Sequence, residues 1–386
     1  MTEHPGSLAG VKVIDLSRML PGPFCSMVLA DHGAEVIAIE DRRFASDGLF
    51  SERLNRNKRH MCLNLKIAEG KEIFLRLVKG SDVLIEGFRP GVMSRLGLDY
   101  ECLNPLNPGL IYCSITGFGQ SGPCCNHAGH DVNYLGMAGI LGLNGPAGTP
   151  PVIPGVQIAD IGGGSLQAAI GILLALLARA RTGRGQFIDI SMTDGLLGFL
   201  SLPLHFSEQG TGTVSPRRGE ELLSHRYGCY NTYATADGRY VAVGALETRF
   251  WRRLCTLLGV EELIELQYDE ARRLEVIDAM RALFSSKTVA ELGPVLRDEN
   301  SCCCLVESLE DVLQNDHFRY REMISSYLDE TARRRTIIGV PIKLSDTPGS
   351  AERRKPDPFG GSTHDILREM GYDENEIIAL ERRRVI

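Results

Sequence analysis

Residues 11–40 read VKVIDLSRMLPGPFCSMVLADHGAEVIAIE. Val11–Leu16 is a short β-rich run, and Pro21-Gly22-Pro23 marks the loop that follows it. Apolar residues then take helical spacing from Phe24 to Asp31, Gly33 punctuates, and Glu35–Glu40 returns to strand composition. Strand, helix and strand at this spacing form a β-α-β unit, which requires parallel strands and a right-handed crossover. The turn Ser17–Pro23 carries no G-x-G-x-x-G, which removes the main support for a nicotinamide site there.

The same alternation continues downstream. A basic segment, Arg53–Lys66, runs into a short strand. A helix over Ala68–Lys79 and strands over Asp82–Glu86 and Leu110–Ile115 follow. This predicts an α/β protein whose large domain, residues 1–208, is a doubly wound, Rossmann-like parallel sheet. Within it, a long apolar helix spans Gly162–Arg181, a strand Gln186–Ser191, and a helix Asp194–Phe206. Residues 209–226 are polar and read as a linker. A smaller α+β domain is expected at 227–316, with a hairpin of Tyr227–Ala234 and Arg239–Ala245 around Ala236-Asp237-Gly238. Its helices fall at Thr248–Leu258, Asp269–Ser286 and Val289–Asp298. A second hydrophilic linker covers 317–335, and 336–386 returns to the large domain with a helix over Ser362–Met370.

Bulk properties narrow the function. A chain of 386 residues favours two domains, and 43% hydrophobic with 24% charged residues is ordinary for a globular protein. The net charge of −7 argues against nucleic acid or an anionic membrane as partner. The most apolar stretch, Ile170–Ala178, is too short for a membrane span. Residues 1–10 lack a signal pattern, and Arg384-Val385-Ile386 is not a peroxisomal address, so a cytoplasmic location is expected. Eleven irregularly spaced cysteines fit reduced thiols. Cys302-Cys303-Cys304 are too close together for a zinc site and read as buried apolar residues. No metal or redox cofactor is indicated.

Chemistry concentrates between Thr116 and Ser165. Gly117–Gly122 matches G-x-G-x-x-G after a strand, but Pro123 and Cys124–His127 offer no helix to receive a pyrophosphate. Asp160 precedes Gly162-Gly163-Gly164, where a carboxylate is either a helix cap or a site acid. Three glycines at a helix start suggest that something approaches the backbone closely. His130, beside Asp131 in a glycine-bounded loop, is either a base active near neutral pH or a solvated loop residue. Glu247, after the second hairpin strand, reads alone as a surface carboxylate at a helix start. Lys58, Arg59, Lys66, Arg89 and Arg95 are either scattered charges or the cationic lining of a phosphorylated-ligand site.

These motifs, in this order, resemble the class III CoA-transferase family along nearly the whole chain. The matching runs include Val13-Ile14-Asp15-Leu16-Ser17, Leu20–Asp31, Gly87–Met93, Thr116–Gly122 and Ala128–Asp131. Ala159-Asp160, Ala236–Tyr240 and Val243–Glu247 extend the match. The resemblance implies an acyl-CoA enzyme with one of two activities. One is racemisation of the α-carbon of a 2-methylacyl-CoA by two-base proton transfer through a thioester enolate. Asp160 and His130 would then be the acid/base pair, with Glu247 supporting His130. The other is CoA transfer between carboxylic acids through an adduct on Asp160, with His130 positional. Backbone N–H groups near Asp131 or the Gly162 helix start would serve the enolate oxygen. The resemblance also implies that Arg42, Leu63, Asn64, Leu65, Lys66, Gly87, Phe88, Arg89, Arg95, Gly129 and Tyr134 line the CoA site. It implies an interlocked homodimer and no cofactor beyond the CoA of the substrate. Ser224–Tyr230 departs from the Gly-Gly-Ala-Pro-Tyr-like run usual in the family's racemases, in the segment expected near the acyl group.

Overall fold

In the computed structural model, residues 11–40 fold as a strand, a helix and a strand. These are β1 (Lys12–Asp15), α1 (Pro21–Asp31) and β2 (Glu35–Glu40). Helix α1 opens on a proline, tolerated where the N–H has no intrahelical acceptor. The structure describes residues 4–46, 53–211, 217–328, 333–355 and 357–386.

Strands β3 (Lys58–Cys62), β4 (Val83–Glu86), β5 (Ile111–Thr116) and β6 (Phe187–Ser191) complete a six-stranded sheet of order β3-β2-β1-β4-β5-β6. Every pairing in it is parallel. The order reverses between β1 and β4. In a doubly wound sheet, the crevice beyond the carboxyl ends of those two strands takes the ligand. Helix α2 (Ala68–Lys79) keeps the expected bounds and buries Ile73, Phe74 and Val78 against the sheet. Ile366, Leu367, Ile377, Leu380, Val385 and Ile386 enter the same core. The His60 N–H donates to Asp357 Oδ2 at 2.8 Å, and the Ser362 N–H donates to the His60 carbonyl at 2.9 Å. The C-terminal segment is thereby stitched onto β3.

The chain divides into two compact units, one of Met1–Ala138, Pro154–Gly198 and Asp316–Ile386, the other of Gly139–Ile153 and Phe199–Asn315. The expected boundaries move accordingly, since residues 139–153 and 199–208 belong with the second unit. The linker expected at 317–335 is also replaced. It holds most of a helix, Asp316–Tyr320, the strand Ile324–Leu328 and the start of the strand Arg334–Ile338, the two strands pairing antiparallel. Within the other expected linker, residues 212–216 lie outside the described residues.

Helix α3 (Asp131–Met137) follows the glycine loops, and α4 (Leu166–Thr182) lies against β5 and β6. Ala168, Ala169, Ile172 and Ala175 are buried, and a Cβ on Gly171 would stand 3.2 Å from Ile188 Cγ2. Leu166, Ile170, Leu173, Leu174 and Leu177 instead face outward. Together with the π-helical turn before it, α4 makes one helix, Ala159–Thr182, long and apolar enough to cross a membrane by length and composition. That corrects the shorter span read from Ile170–Ala178.

In the second unit, β7 (Tyr230–Ala234), β8 (Tyr240–Gly244) and β9 (Cys303–Leu305) form an antiparallel sheet. The helix Thr248–Leu258 matches its expected bounds and buries Trp251, Leu254, Cys255 and Leu258 at i, i+3, i+4 and i+7. Of the cysteine triplet only Cys303 is buried, because side chains alternate across a strand.

Candidate active site

Asp160 lies inside a π-helical turn, Ala159–Ser165, rather than ahead of a helix. The Ile161 N–H donates to the Gln157 carbonyl at 3.1 Å, so helical bonding begins before Asp160 and the capping alternative is set aside. Single π turns inside helices recur at functional sites. The glycines have a packing cause. A Cβ on Gly163 would stand 2.3 Å from the Met192 carbonyl oxygen, and one on Gly195 would stand 2.2 Å from the Gly163 carbonyl oxygen. Bare backbone therefore lets α5 (Met192–Leu197) rest directly on the turn. Gly163 is explained by this contact and not by ligand approach.

Burial and then the Asp131 charge push the Asp160 carboxyl up to about 6, with the His130 imidazole opposing both. The Asp160 N–H donates to Asp131 Oδ1 at 2.9 Å. His130 is exposed at the N-cap of α3, where its own N–H donates to Asn133 Oδ1 at 3.0 Å. His130, Asp131 and Asp160 are thus brought together within one unit. Glu247 is exposed at the N-cap of the helix Thr248–Leu258 in the second unit.

Tyr134 explains two further glycines. Its ring would meet a Cβ on Gly117 at 2.4 Å and one on Gly129 at 2.7 Å, and its hydroxyl donates to the Gly129 carbonyl at 2.6 Å. The glycine loop packs on this ring, which accounts for a dinucleotide-like motif without a dinucleotide helix. Burial raises the Tyr134 hydroxyl, with Asp160 and Asp131 adding and Arg89 opposing. Arg89 therefore belongs to the same electrostatic neighbourhood as the two carboxylates.

Gly87, Phe88 and Arg89 follow β4 at the sheet's reversal point, where a Cβ on Gly87 would lie 3.7 Å from Ser17 Cβ in the loop after β1. Arg42 follows β2, and its positive charge bears on the Cys62 thiol at the end of β3. Arg95 is exposed on the short helix Val92–Leu96. Leu63 is buried in the hydrophobic core, and Leu65 packs against that core. The Asn64 N–H donates to the Val385 carbonyl at 2.8 Å, its Oδ1 accepts the Lys66 N–H at 3.1 Å, and Lys66 is exposed.

Two cations of the sequence reading are reassigned. Lys58 is fully buried, donating to the Pro23 carbonyl at 2.9 Å with Asp15 Oδ2 3.6 Å away, and burial lowers its ammonium group. Arg59 holds both oxygens of Glu369 at 2.7 and 2.8 Å. Both open β3; Lys58 is engaged by buried groups at and after the end of β1, and Arg59 by the C-terminal helix residue Glu369.

Two functional candidates escaped sequence reasoning. Glu86, at the end of β4, is buried and pushed up to about 7 by burial, with Asp189 adding and bonds from Ser114 and Phe88 opposing. Gln267 Nε2 donates to the carbonyls of Ala245 and Leu246 at 3.1 and 2.7 Å, fixing the turn before Glu247. Among the described residues, no group of three or more His, Cys, Asp and Glu could hold a metal.

A reversal-point crevice flanked by arginines, with a near-neutral carboxylic acid beside an imidazole, defines an α/β enzyme built for an anionic carrier and proton or acyl chemistry. The CoA-transferase family III model matches residues 8–362, and the chain belongs to that family. It is 39% identical over 380 residues to the alpha-methylacyl-CoA racemase of Mus musculus, covering 98% of this chain and 97% of that protein. It is 31% identical over 401 residues to the succinyl-CoA–D-citramalate CoA-transferase of Chloroflexus aurantiacus, covering 99% and 98%. The crystal structure of a CAIB/BAIF family protein from Brucella suis superposes with a TM-score of 0.80 at 31% identity, over 95% of this chain and 100% of that one. The protein is an acyl-CoA enzyme of the racemase and CoA-transferase family.

Proposed function

We propose that the protein racemises the α-carbon of a 2-methylacyl-CoA, with Asp160 and His130 as its two acid/base groups, and that it works as a cytoplasmic homodimer without a cofactor beyond the CoA of its substrate. The observation that carries this is the electrostatic pairing of His130 with an Asp160 carboxyl raised to about 6. A group near that value is mostly ionised at neutral pH yet re-protonates readily, as a reversible base must. Inversion needs proton removal on one face of the α-carbon and delivery on the other. The enolate between those steps needs donors at its oxygen. The Asp160 N–H is occupied by Asp131 and the Asn133 N–H by the His130 carbonyl, so we assign that role to the N–H groups of Asp131 and Val132 at the start of α3. Glu247 is assigned the support of His130 on the family resemblance. The outward leucines of α4 support dimerisation, since a contiguous apolar face of this kind calls for a partner surface.

CoA transfer is the second reading, favoured by full-length similarity to transferases. Asp160 would attack the donor thioester, giving a mixed anhydride and then an aspartyl-CoA thioester. Incubation with an (R)-2-methylacyl-CoA in deuterated water, without an acceptor acid, separates the two. Racemisation predicts α-deuteration with inversion to the (S) epimer, the inversion being lost in both Asp160→Ala and His130→Ala. No exchange, combined with a hydroxylamine-trappable acyl group on Asp160, would refute it.

A further inference from the structure

Glu86 is 4% exposed and stands one residue before Gly87–Arg89. One carboxylate oxygen accepts the Phe88 N–H at 2.7 Å, and the other accepts the Ser114 hydroxyl of β5. Gln120 Nε2, from the glycine loop, donates to Ser114 Oγ at 2.7 Å. The Gln120 N–H in turn donates to Asp189 of β6, 3.1 and 3.0 Å from its two oxygens. A single chain of bonds therefore runs from the Arg89 segment through β5 to the Gly117–Gly122 loop and β6.

We propose that Glu86 is a positioning residue whose ionised carboxylate locks the Gly87–Arg89 segment and the Gln120 loop together, so that protonating Glu86 weakens the binding of a CoA thioester. This rests on the reading that Gly87–Arg89 holds the CoA moiety. The direction follows from the donor count. An ionised carboxylate only accepts, and it satisfies both the Phe88 N–H and the Ser114 O–H while leaving Ser114 Oγ free to accept from Gln120. A protonated one must itself donate. If it donates to Ser114 Oγ, the Ser114 hydroxyl loses its own acceptor, and the bond from the Phe88 N–H loses its charge assistance. The group also titrates in a useful range, because burial brings it to about 7. The charged and titratable groups around it are the buried Cys113 of β5, Asp189 across the relay, and Arg89, Asp99, Tyr100, Glu101 and Tyr112. These last five line, with Glu86, a cavity of about 330 Å³ through which water can exchange the proton.

The test is the dissociation constant of an unreactive thioether analogue of a 2-methylacyl-CoA, measured by calorimetry between pH 5.5 and 8.5 on the full chain. The ratio of Glu86→Gln to wild type cancels the ionisation of the ligand's own phosphates. It is expected to rise from near one at low pH to about tenfold at high pH, the loss of one charge-assisted bond. Ser114→Ala, which cuts the relay at the next bond, should follow the same trend. It provides the reading should Glu86→Gln fail to fold. A ratio of one throughout, or a ratio independent of pH, overturns the positioning role while leaving CoA binding intact. Failure of the wild type to bind the analogue at any pH overturns this inference together with the CoA reading beneath it.

Discussion

Replacing Asp160 by Asn should make the folded protein more stable above pH 6. Burial raises this carboxyl from 3.8 to about 6, which means that the fold favours its neutral form. For a carboxyl raised in this way, the stabilising contribution is fully present below the unfolded value and is lost as pH rises through the folded one. The wild type should therefore lose stability relative to Asp160→Asn between about pH 4 and 6. A pKa difference of this size corresponds to a ceiling of about 3 kcal/mol, at 1.36 kcal/mol for each tenfold in proton affinity. Partial solvent exposure screens the charge and brings the expected gain to about 1–2 kcal/mol. Urea unfolding of both proteins at pH 4, 5, 6 and 8 measures it. A helix-capping carboxylate would give the opposite sign, since removing a cap costs about 1 kcal/mol at neutral pH. A variant less stable than wild type at pH 8, or a difference that does not change with pH, would refute the burial argument.

Other consequences of the packing are open to direct measurement. Gly163→Ala forces a Cβ against the Met192 carbonyl and should cost about 1–3 kcal/mol in unfolding experiments while slowing α-proton exchange. Gly136→Ala, whose Cβ would meet nothing within 4 Å, should cost neither. Among the described residues, Lys58→Met leaves the buried Asp15 carboxylate with the Ser17 and Ser26 hydroxyls and the Ser17 N–H as donors, and should destabilise by about 3–5 kcal/mol. The double variant with Asp15→Asn should recover much of that loss. Leu174→Glu, on the outward face of α4, should convert the proposed dimer to a species of one chain mass in sedimentation.

Much of the sheet was legible because its signals are local. Residues 11–40, Ala68–Lys79 and Thr248–Leu258 each carry a complete period and their own stops, and they fold almost where expected. The misreadings have tertiary causes. Residues 317–335 look like a linker because their charged residues hide a two-stranded pairing of Ile324–Leu328 with Arg334–Ile338. Asp160 reads as a cap because three glycines mimic a helix start, whereas contact with Met192 and Gly195 sets the π turn. The Gly117–Gly122 loop imitates a phosphate loop because Tyr134 requires the same bare backbone as a pyrophosphate. Lys58 and Glu86 sit at strand ends, where a charged residue ordinarily meets water. Only the neighbouring strands reveal that both are buried.

The central claim, that His130 and Asp160 act from opposite faces of one α-carbon, is tested most directly by single-base variants. Wild type should exchange the α-proton of both pure enantiomers of a 2-methylacyl-CoA in deuterated water and bring each to the same mixture. His130→Ala and Asp160→Asn should each lose inversion by about 10²–10⁴-fold while retaining exchange from one enantiomer, a different one for each variant. Exchange retained from the same enantiomer in both variants, or inversion that survives either substitution, would contradict the two-base account.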